Sequence, residues 1–439
     1  MRLKVHFIGI DGVSLSCLAK YMLNLGFTVS GSDLRPSAYT DELVALGAEI
    51  KFGHSEDNVR GAQVVVYSDA VKADNPELVY ARRERLYILS RAELLRSVAE
   101  NFKTVVGVAG CHGKTTVTCM LAHIYAAANA RFTAHIGGRD FEFSNCVLRG
   151  HDAFISEVCE YKKNLSLFPA TVAVCLNADK DHMDCYKDYG ELKRAYFDYL
   201  KSADKAIINI DDKTLSMYKN KNAVCFGESG KADYGVKNVA RTRDGYKFEI
   251  VKNGKFLLSV TLNVGGRHNV INALAAAVCA VEAGVKPKAV AKGLRAFKGV
   301  ERRYEKIGEI NGAEVVIDYA HHPREIRAAI AEAKEREEKN TIVVFQPHTF
   351  SRTIFLKKEF VAVLREIENL KIYKTFPARE EYAVGGSAKE LRDETGNGEY
   401  YDDFDRLYDD LQKELKKGER LLVLGAGDLA EEFRARLRR

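Results

Sequence analysis

The run TVVGVAGCHGKTTVTCM, which starts at Thr104, constrains the fold more than any other part of this chain. An apolar, β-branched stretch leads into Gly110-Cys111-His112-Gly113-Lys114-Thr115-Thr116, and an amphipathic helical pattern follows. A strand that enters a glycine loop and leaves as a helix belongs to a parallel α/β sheet, with the loop at the carboxyl ends of the strands. A helix that starts there aims backbone N–H groups and the positive end of its dipole at an anion. Gly110 and Gly113 let the backbone come close, Lys114 supplies a mobile cation, and the Thr115 hydroxyl is a candidate Mg²⁺ ligand. Gly107 lies one residue too far upstream for the usual G-x-x-x-x-G-K-[ST] spacing. A nucleoside triphosphate is the expected ligand. The alternative is a glycine turn whose lysine is merely solvated.

A length of 439 residues exceeds one ordinary core and predicts two to four domains, and 46% apolar content lets each bury a core. The 67 basic and 61 acidic residues leave a net charge of +6, which suits small anionic substrates and falls short of a nucleic-acid footprint. Nine cysteines without a C-x-x-C pair indicate neither a zinc site nor a disulfide framework, so a reducing compartment, the cytoplasm, is expected. With no signal-peptide pattern and no apolar run long enough to span a bilayer, no membrane partner is expected.

Strand and helix signals alternate along the whole chain. Leu3 to Ile10, Phe27 to Ser32, Val64 to Tyr67 and Tyr87 to Leu89 read as strands, with a helix over Ser16 to Leu25. The chain turns polar at Glu100 to Lys103. Strands are then expected at Ala153 to Ile155, Val172 to Leu176 and Ala206 to Ile210. A hairpin over Tyr246 to Leu262 turns at Asn253-Gly254, and a helix covers Val270 to Ala283. Past Phe297-Lys298-Gly299 a third pattern has strands at Ala313 to Ile317, Thr341 to Phe345, Lys371 to Thr375 and Leu421 to Leu424. This predicts an α/β protein of three domains, residues 1–101, 102–299 and 300–439.

Several constellations sit at strand ends. Gly9-Ile10-Asp11-Gly12-Val13-Ser14 resembles a dinucleotide fingerprint but holds Asp11 and Ser14 at its second and third glycine positions. Asp33 lies where an acidic residue grips a ribose or a uracil. Glu157 and Glu160 close a strand where Mg²⁺ is usually held, with surface acids as the alternative. His182, in Asn177-Ala178-Asp179-Lys180-Asp181-His182, reads on chemistry alone as a capping histidine, since Mg²⁺ prefers oxygen. His268, Asn269 and Asn272 open the alanine-rich helix, either as caps or as donors and acceptors for an adenine edge. Asp318-Tyr319-Ala320-His321-His322-Pro323 and Gln346-Pro347-His348-Thr349-Phe350-Ser351-Arg352 each follow a strand; Arg352 offers a planar fork to a carboxylate or phosphate. Gly425-Ala426-Gly427-Asp428 is a loop site or a packing feature.

These segments together resemble the Mur ligases over nearly the whole chain. The markers are HFIGIDGVSLSCLA, VSGSDL, GCHGKTTVTCM, NADKDHMDCY, GRHNVINALAA, FKGVERRYE, DYAHHPREI, FQPHTFSRT and LGAGDL. The resemblance implies an N-terminal Rossmann-like UDP-binding domain, a central P-loop ATPase-like domain and a C-terminal Rossmann-like domain. It implies an ATP- and Mg²⁺-dependent ligase that joins L-alanine to the carboxylate of UDP-N-acetylmuramate through an acyl phosphate, working as a monomer or weak dimer. ATP would be held by Gly110, His112, Gly113, Lys114, Thr115 and Thr116, with His268, Asn269 and Asn272 on the adenine side. Arg303, Asp318, Tyr319 and His321 would complete that site. Thr115, Glu157 and His182 would hold metal. Gly9, Gly12, Ser14, Ser16 and Asp33 would hold the UDP-sugar, and His348 and Arg352 the amino acid and the muramyl carboxylate. Lys114, His182 and Arg352 are the candidate catalytic residues. Asp11 and Ser14 stand where the family usually has further glycines, and Cys111 where it has threonine. A Mur-like ligase for another amino acid, peptide or acid is the alternative within the class. An NAD-dependent oxidoreductase is the alternative outside it, disfavoured by the glycine pattern and the Gly-Lys-Thr loop.

Overall fold

The computed structural model describes residues 3–180, 183, 185–335 and 340–438. His182 therefore lies outside the described residues. The chain divides into two compact units, Met1–Val264 with Asn269–Lys298, and Gly265–His268 with Gly299–Arg439.

The first unit opens with β1 (Lys4–Ile8), α1 (Val13–Asn24), β2 (Thr28–Asp33), α2 (Ala38–Ala45), β3 (Glu49–Phe52), β4 (Val64–Tyr67), α3 (Pro76–Arg83), β5 (Tyr87–Ser90) and α4 (Arg91–Ala99). These strands form an all-parallel sheet in the order β3-β2-β1-β4-β5. Strand reversal beside β1 places the β1–α1 loop at the crevice where such sheets take ligands. Gly12 and not Ser16 ends the loop, so α1 begins three residues earlier than the spacing suggests. The carboxylate of Glu77 at the head of α3 is fully buried and accepts from Ser32 Oγ at 2.5 Å and Asn58 Nδ2 at 2.6 Å. A buried carboxylate is tolerable only with such partners.

The same unit continues through β6 (Thr104–Ala109), α5 (Lys114–Ala127), β7 (Phe132–Asp140), β8 (Ser144–Leu148), β9 (Ala153–Glu157), β10 (Val172–Cys175), α6 (Tyr189–Ser202) and β11 (Lys205–Asn209). It ends with β12 (Val224–Phe226), β13 (Tyr234–Arg241), β14 (Tyr246–Lys252), β15 (Lys255–Leu262), α7 (Arg267–Glu282) and α8 (Pro287–Ala296). Ten strands join in the order β15-β14-β13-β12-β11-β10-β6-β9-β7-β8. The expected hairpin is β14–β15, with Asn253 and Gly254 both at positive φ. β6 lies between β10 and β9, and its Gly107 leaves room for the Tyr199 hydroxyl that any Cβ would overlap. The outermost strands each have a helix against them. α1 lies along β8, where Asn145 Nδ2 donates to Val13 O at 2.6 Å, and α8 packs on β15, where Asn263 Nδ2 donates to Arg295 O at 2.8 Å.

The second unit holds β16 (Glu305–Ile310), β17 (Ala313–Asp318), α9 (Pro323–Glu335), β18 (Thr341–Phe345), α10 (Phe350–Phe355), α11 (Lys357–Leu364), β19 (Leu370–Tyr373), α12 (Ala388–Thr395), β20 (Glu399–Tyr401), α13 (Phe404–Glu414), β21 (Arg420–Leu424) and α14 (Leu429–Leu437). Its sheet runs β16-β17-β21-β18-β19-β20, parallel except for β16. Alternate residues of each strand feed two cores: Val316, Val343, Phe345 and Leu422 on one face, Val315, Ile317, Val344 and Leu421 on the other. Burial on both faces explains the unbroken apolar runs of β17, β18 and β21. No helix among the described residues is long and apolar enough to cross a membrane.

Candidate functional site

The loop between β6 and α5 is built for an anion. Gly110 (φ 136°) and Gly113 (φ 84°) take backbone conformations open to glycine, and Gly113 caps α5 without any side-chain acceptor for the first N–H groups. A Cβ at Gly113 would also lie 2.6 Å from Asn272 Oδ1. Asn177 clamps the loop from the end of β10: its Oδ1 accepts from His112 N at 2.9 Å and its Nδ2 donates to His112 O at 3.0 Å. Cys111 is a tether as well, its Sγ accepting from Asp179 N at 3.0 Å. Thr116 is buried in the first turn of α5, and Asn272 Nδ2 donates to Asn269 Oδ1 at 3.0 Å on α7.

Lys114 Nζ donates to Gly110 O at 2.5 Å and to Glu160 Oε2 at 3.1 Å. Burial disfavours the ammonium, yet the Glu160 carboxylate opposite it, with Glu157 further off, holds Lys114 well above the ordinary lysine range. Glu160 is itself fully buried, and its Oε1 has no partner among the described residues. Glu160, named above as a metal candidate, is here the counter-ion of the loop lysine.

Thr115 Oγ1 donates to Glu157 Oε2 at 2.7 Å. A hydroxyl and a carboxylate, side by side beneath a phosphate loop, are the hard oxygen donors that Mg²⁺ takes, so these residues fit the ion. Gly137 on β7 is part of the arrangement, because a Cβ there would overlap the Glu157 carboxylate.

Next to Glu157 is a cavity of about 240 Å³ whose wall includes Ser14, Arg91, His135, Asn164 and Phe168. Ser14 lies in the first turn of α1, and its Oγ is 2.8 Å from His135 Nε2; His135 Nδ1 is 2.9 Å from Ser156 Oγ. Burial, with Arg91 nearby, pushes the His135 imidazole down to about 3, so the ring is neutral at physiological pH. Asp69, across from Arg91 at 3.5 Å, also meets Lys162 at 3.3 Å.

The remaining N-terminal residues divide. Gly9 (φ 82°) and Gly12 shape the β1–α1 loop. Asp33 holds that loop, its Oδ2 accepting from Asp11 N at 2.9 Å and its Oδ1 from Leu34 N at 2.7 Å. The Asp11 carboxylate accepts from Ser37 Oγ at the head of α2, and burial raises its pKa. Ser16, expected at the UDP-sugar, is fully buried. Its hydroxyl contacts Gly12 O and Val13 O at 3.1 Å and accepts from Asn145 Nδ2 at 2.7 Å.

In the second unit the ends of β17 and β18 gather a polar cluster. Asp318 accepts from Tyr304 N at 2.7 Å and Ala320 N at 2.8 Å; burial raises its carboxyl to about 6 against the pull of Arg303. Glu325 stands 3.7 Å from Arg303 and accepts from His321 N at 3.1 Å. The His321 and His348 rings are 5.8 Å apart, and Arg352 Nη1 donates to His348 Nδ1 at 3.2 Å. His268 heads α7 with its ring against Gly266. Sequence reasoning missed Asn177, Glu325 and His135. Glu325 had a signal, two residues past the proline of the His-His-Pro motif; His135, 121 residues from Ser14, had none.

Comparison with known proteins agrees along the chain. Residues 4–103 match the model described as Mur ligase family, catalytic domain; 108–280 the Mur ligase middle domain; 302–427 the Mur ligase, glutamate ligase domain. A UDP-N-acetylmuramate–L-alanine ligase of Clostridium beijerinckii is 37% identical, covering 97% of this chain and 95% of its own. That of Aquifex aeolicus is 38% identical over 98% and 97%. The crystal structure of the UDP-N-acetylmuramate-alanine ligase from Thermotoga maritima superposes with a TM-score of 0.84 at 27% identity, covering 99% of this chain and all of that one.

Proposed function

Because this chain belongs to the Mur ligase family, we propose that it joins L-alanine to the carboxylate of UDP-N-acetylmuramate with ATP, in peptidoglycan precursor synthesis. The observation that carries the reading is the phosphate loop with Lys114, placed beside the Thr115–Glu157 oxygen pair at the edge of the cavity that Ser14 reaches. The substrate carboxylate oxygen attacks the γ-phosphorus of ATP and the bond to ADP breaks. The amine of L-alanine then attacks the acyl carbon, phosphate leaves, and the nitrogen loses a proton. Backbone N–H groups of residues 110–116 and the Lys114 ammonium neutralise charge on the transferring group and on the acyl phosphate. Thr115 and Glu157, with His182, would hold Mg²⁺, which when bound would neutralise phosphate charge.

Asn269, Asn272 and His268 take the adenine side. Arg303, Asp318 and His321 complete the nucleotide site, while His348 and Arg352 take the amino acid and the muramyl carboxylate. Gly9, Gly12, Ser14, Ser16 and Asp33 take the UDP moiety. Residues 1–101, 102–299 and 300–439 are the corresponding domains, and the enzyme works in the cytoplasm as a monomer or weak dimer. Phosphate release from ATP and Mg²⁺ with UDP-N-acetylmuramate, comparing L-alanine, glycine, L-serine and a tripeptide, tests the reading. Release that requires both the sugar nucleotide and L-alanine, with the product mass confirmed, is expected. Release with none of these amines would defeat it.

A further inference from the structure

The cavity beside Glu157 contains a chain of three short polar contacts. Ser156 Oγ lies 2.8 Å from the Glu157 carbonyl oxygen, which can only accept. His135 Nδ1 lies 2.9 Å from the same Oγ, and His135 Nε2 lies 2.8 Å from Ser14 Oγ. Around a neutral imidazole, one assignment of hydrogens makes all three contacts hydrogen bonds. Ser156 donates to the carbonyl, His135 Nδ1–H donates to Ser156, and Ser14 donates to the bare Nε2. The hydroxyl hydrogen of Ser14 is then committed inward, and lone pairs alone remain for the cavity. A ligand group that meets Ser14 must be a donor.

Two other features narrow that group. Asn164 lines the same cavity, its carboxamide makes no hydrogen bond among the described residues, and its Nδ2 is shut off from solvent. An unpaired amide N–H shielded from solvent at a cavity wall is a donor available to an acceptor on a ligand. Val13, Ala92, Leu95 and Leu167 give the cavity an apolar stretch of wall, while Asp69, Arg91 and Glu157 are its charged members. Donor, acceptor and small apolar group together describe an N-acyl substituent.

We propose that this cavity receives the acetamido group of the sugar nucleotide, its N–H donating to Ser14 Oγ, its carbonyl accepting from Asn164 and its methyl against the apolar wall. The inference rests on the functional reading above, which supplies the sugar. His135 touches no ligand in this scheme; it is a positioning residue that fixes which hydrogen-bond partner Ser14 presents. A free amine in place of the acetamido group would leave Asn164 with no acceptor to bind and the apolar wall unfilled, even though the Asp69 and Glu157 carboxylates also line the cavity beside Arg91.

The test uses the full chain and two ligands, UDP-N-acetylmuramate and its de-N-acetylated amine, with calorimetry for binding and phosphate release for turnover. The wild type is expected to favour the acetylated ligand by at least about tenfold, in keeping with the penalty for unpaired site groups. Ser14→Ala and His135→Gln should each shrink that ratio several-fold. Asn164→Asp, at a half-buried position that tolerates change, should shift it toward the amine, because a carboxylate repels the carbonyl and attracts the ammonium. A ratio unchanged in all three variants, with both ligands weakened alike, would overturn the subsite while turnover of the acetylated substrate kept the functional reading intact. Absence of turnover with either sugar nucleotide in the wild type would overturn the functional reading and this inference with it.

Discussion

In the phosphate loop the Lys114 ammonium faces Glu160 at 3.1 Å, so nucleotide binding exchanges one buried anion for another and not water for phosphate. Glu160→Gln removes the competitor. A non-hydrolysable ATP analogue should then bind about 3–10-fold tighter by calorimetry, while the ligand-free variant melts lower, since a buried ion pair broken on one side costs up to about 3–5 kcal/mol. An unchanged dissociation constant would mean that the pair does not oppose the nucleotide. Asp11 poses a similar question at the UDP end. Its carboxylate is turned to Ser37, but a charge within ~5 Å of a pyrophosphate still costs on the order of 1–3 kcal/mol at an effective dielectric near 20. Asp11→Gly should therefore tighten UDP-sugar binding, and calorimetry that shows looser binding would reject this.

At the scale of elements, β7 pairs with β9 as far as His135, and just beyond, at Gly137, the missing Cβ makes space for Glu157. Gly137→Ala should displace that carboxylate, raise the Mg²⁺ concentration needed for half-maximal phosphate release, and lower turnover by roughly 10²-fold, the loss typical of one charge-stabilising group. The end of β17 has its own signature. Because Asp318 titrates near 6, above the ordinary aspartate value, the folded state holds its proton more tightly than the unfolded chain does. Stability from this group is full below about pH 4 and declines as the pH rises to about 6. Denaturant melts across that window should show the slope in the wild type and a flatter profile in Asp318→Asn. The strands that carry these residues were unequally legible. β1, β6, β10, β17 and β21 are apolar runs ending at motifs, so strand and site were read together. β7 (FTAHIGGRD) breaks its pattern with two glycines, and β3 and β8 are short and partly exposed, so their sequences carry no clean period. The Ser14–His135 contact depends on β7 being placed beside α1, and no local spacing encodes that. The contact between Ser16 and Asn145 is of the same kind, joining residues 129 positions apart.

For the whole molecule, the six-stranded sheet of the second unit has a core on each face, both drawn from residues after Tyr304. Residues 299–439 expressed alone should unfold in a single cooperative thermal transition, and a featureless melt would show that this sheet needs the rest of the chain. The first unit is less modular. Its ten-stranded sheet ends at β8, with α1 alongside, and at β15, with α8 alongside. On the ribosome these two helices arrive at opposite times. α1 is made long before the strand it covers, whereas α8 emerges roughly 30 residues after β15 is complete, a delay of a few seconds at ~5–20 residues per second. For those seconds a nascent chain displays a bare strand border with unpaired backbone groups, a template that a neighbouring nascent chain on the same message could extend.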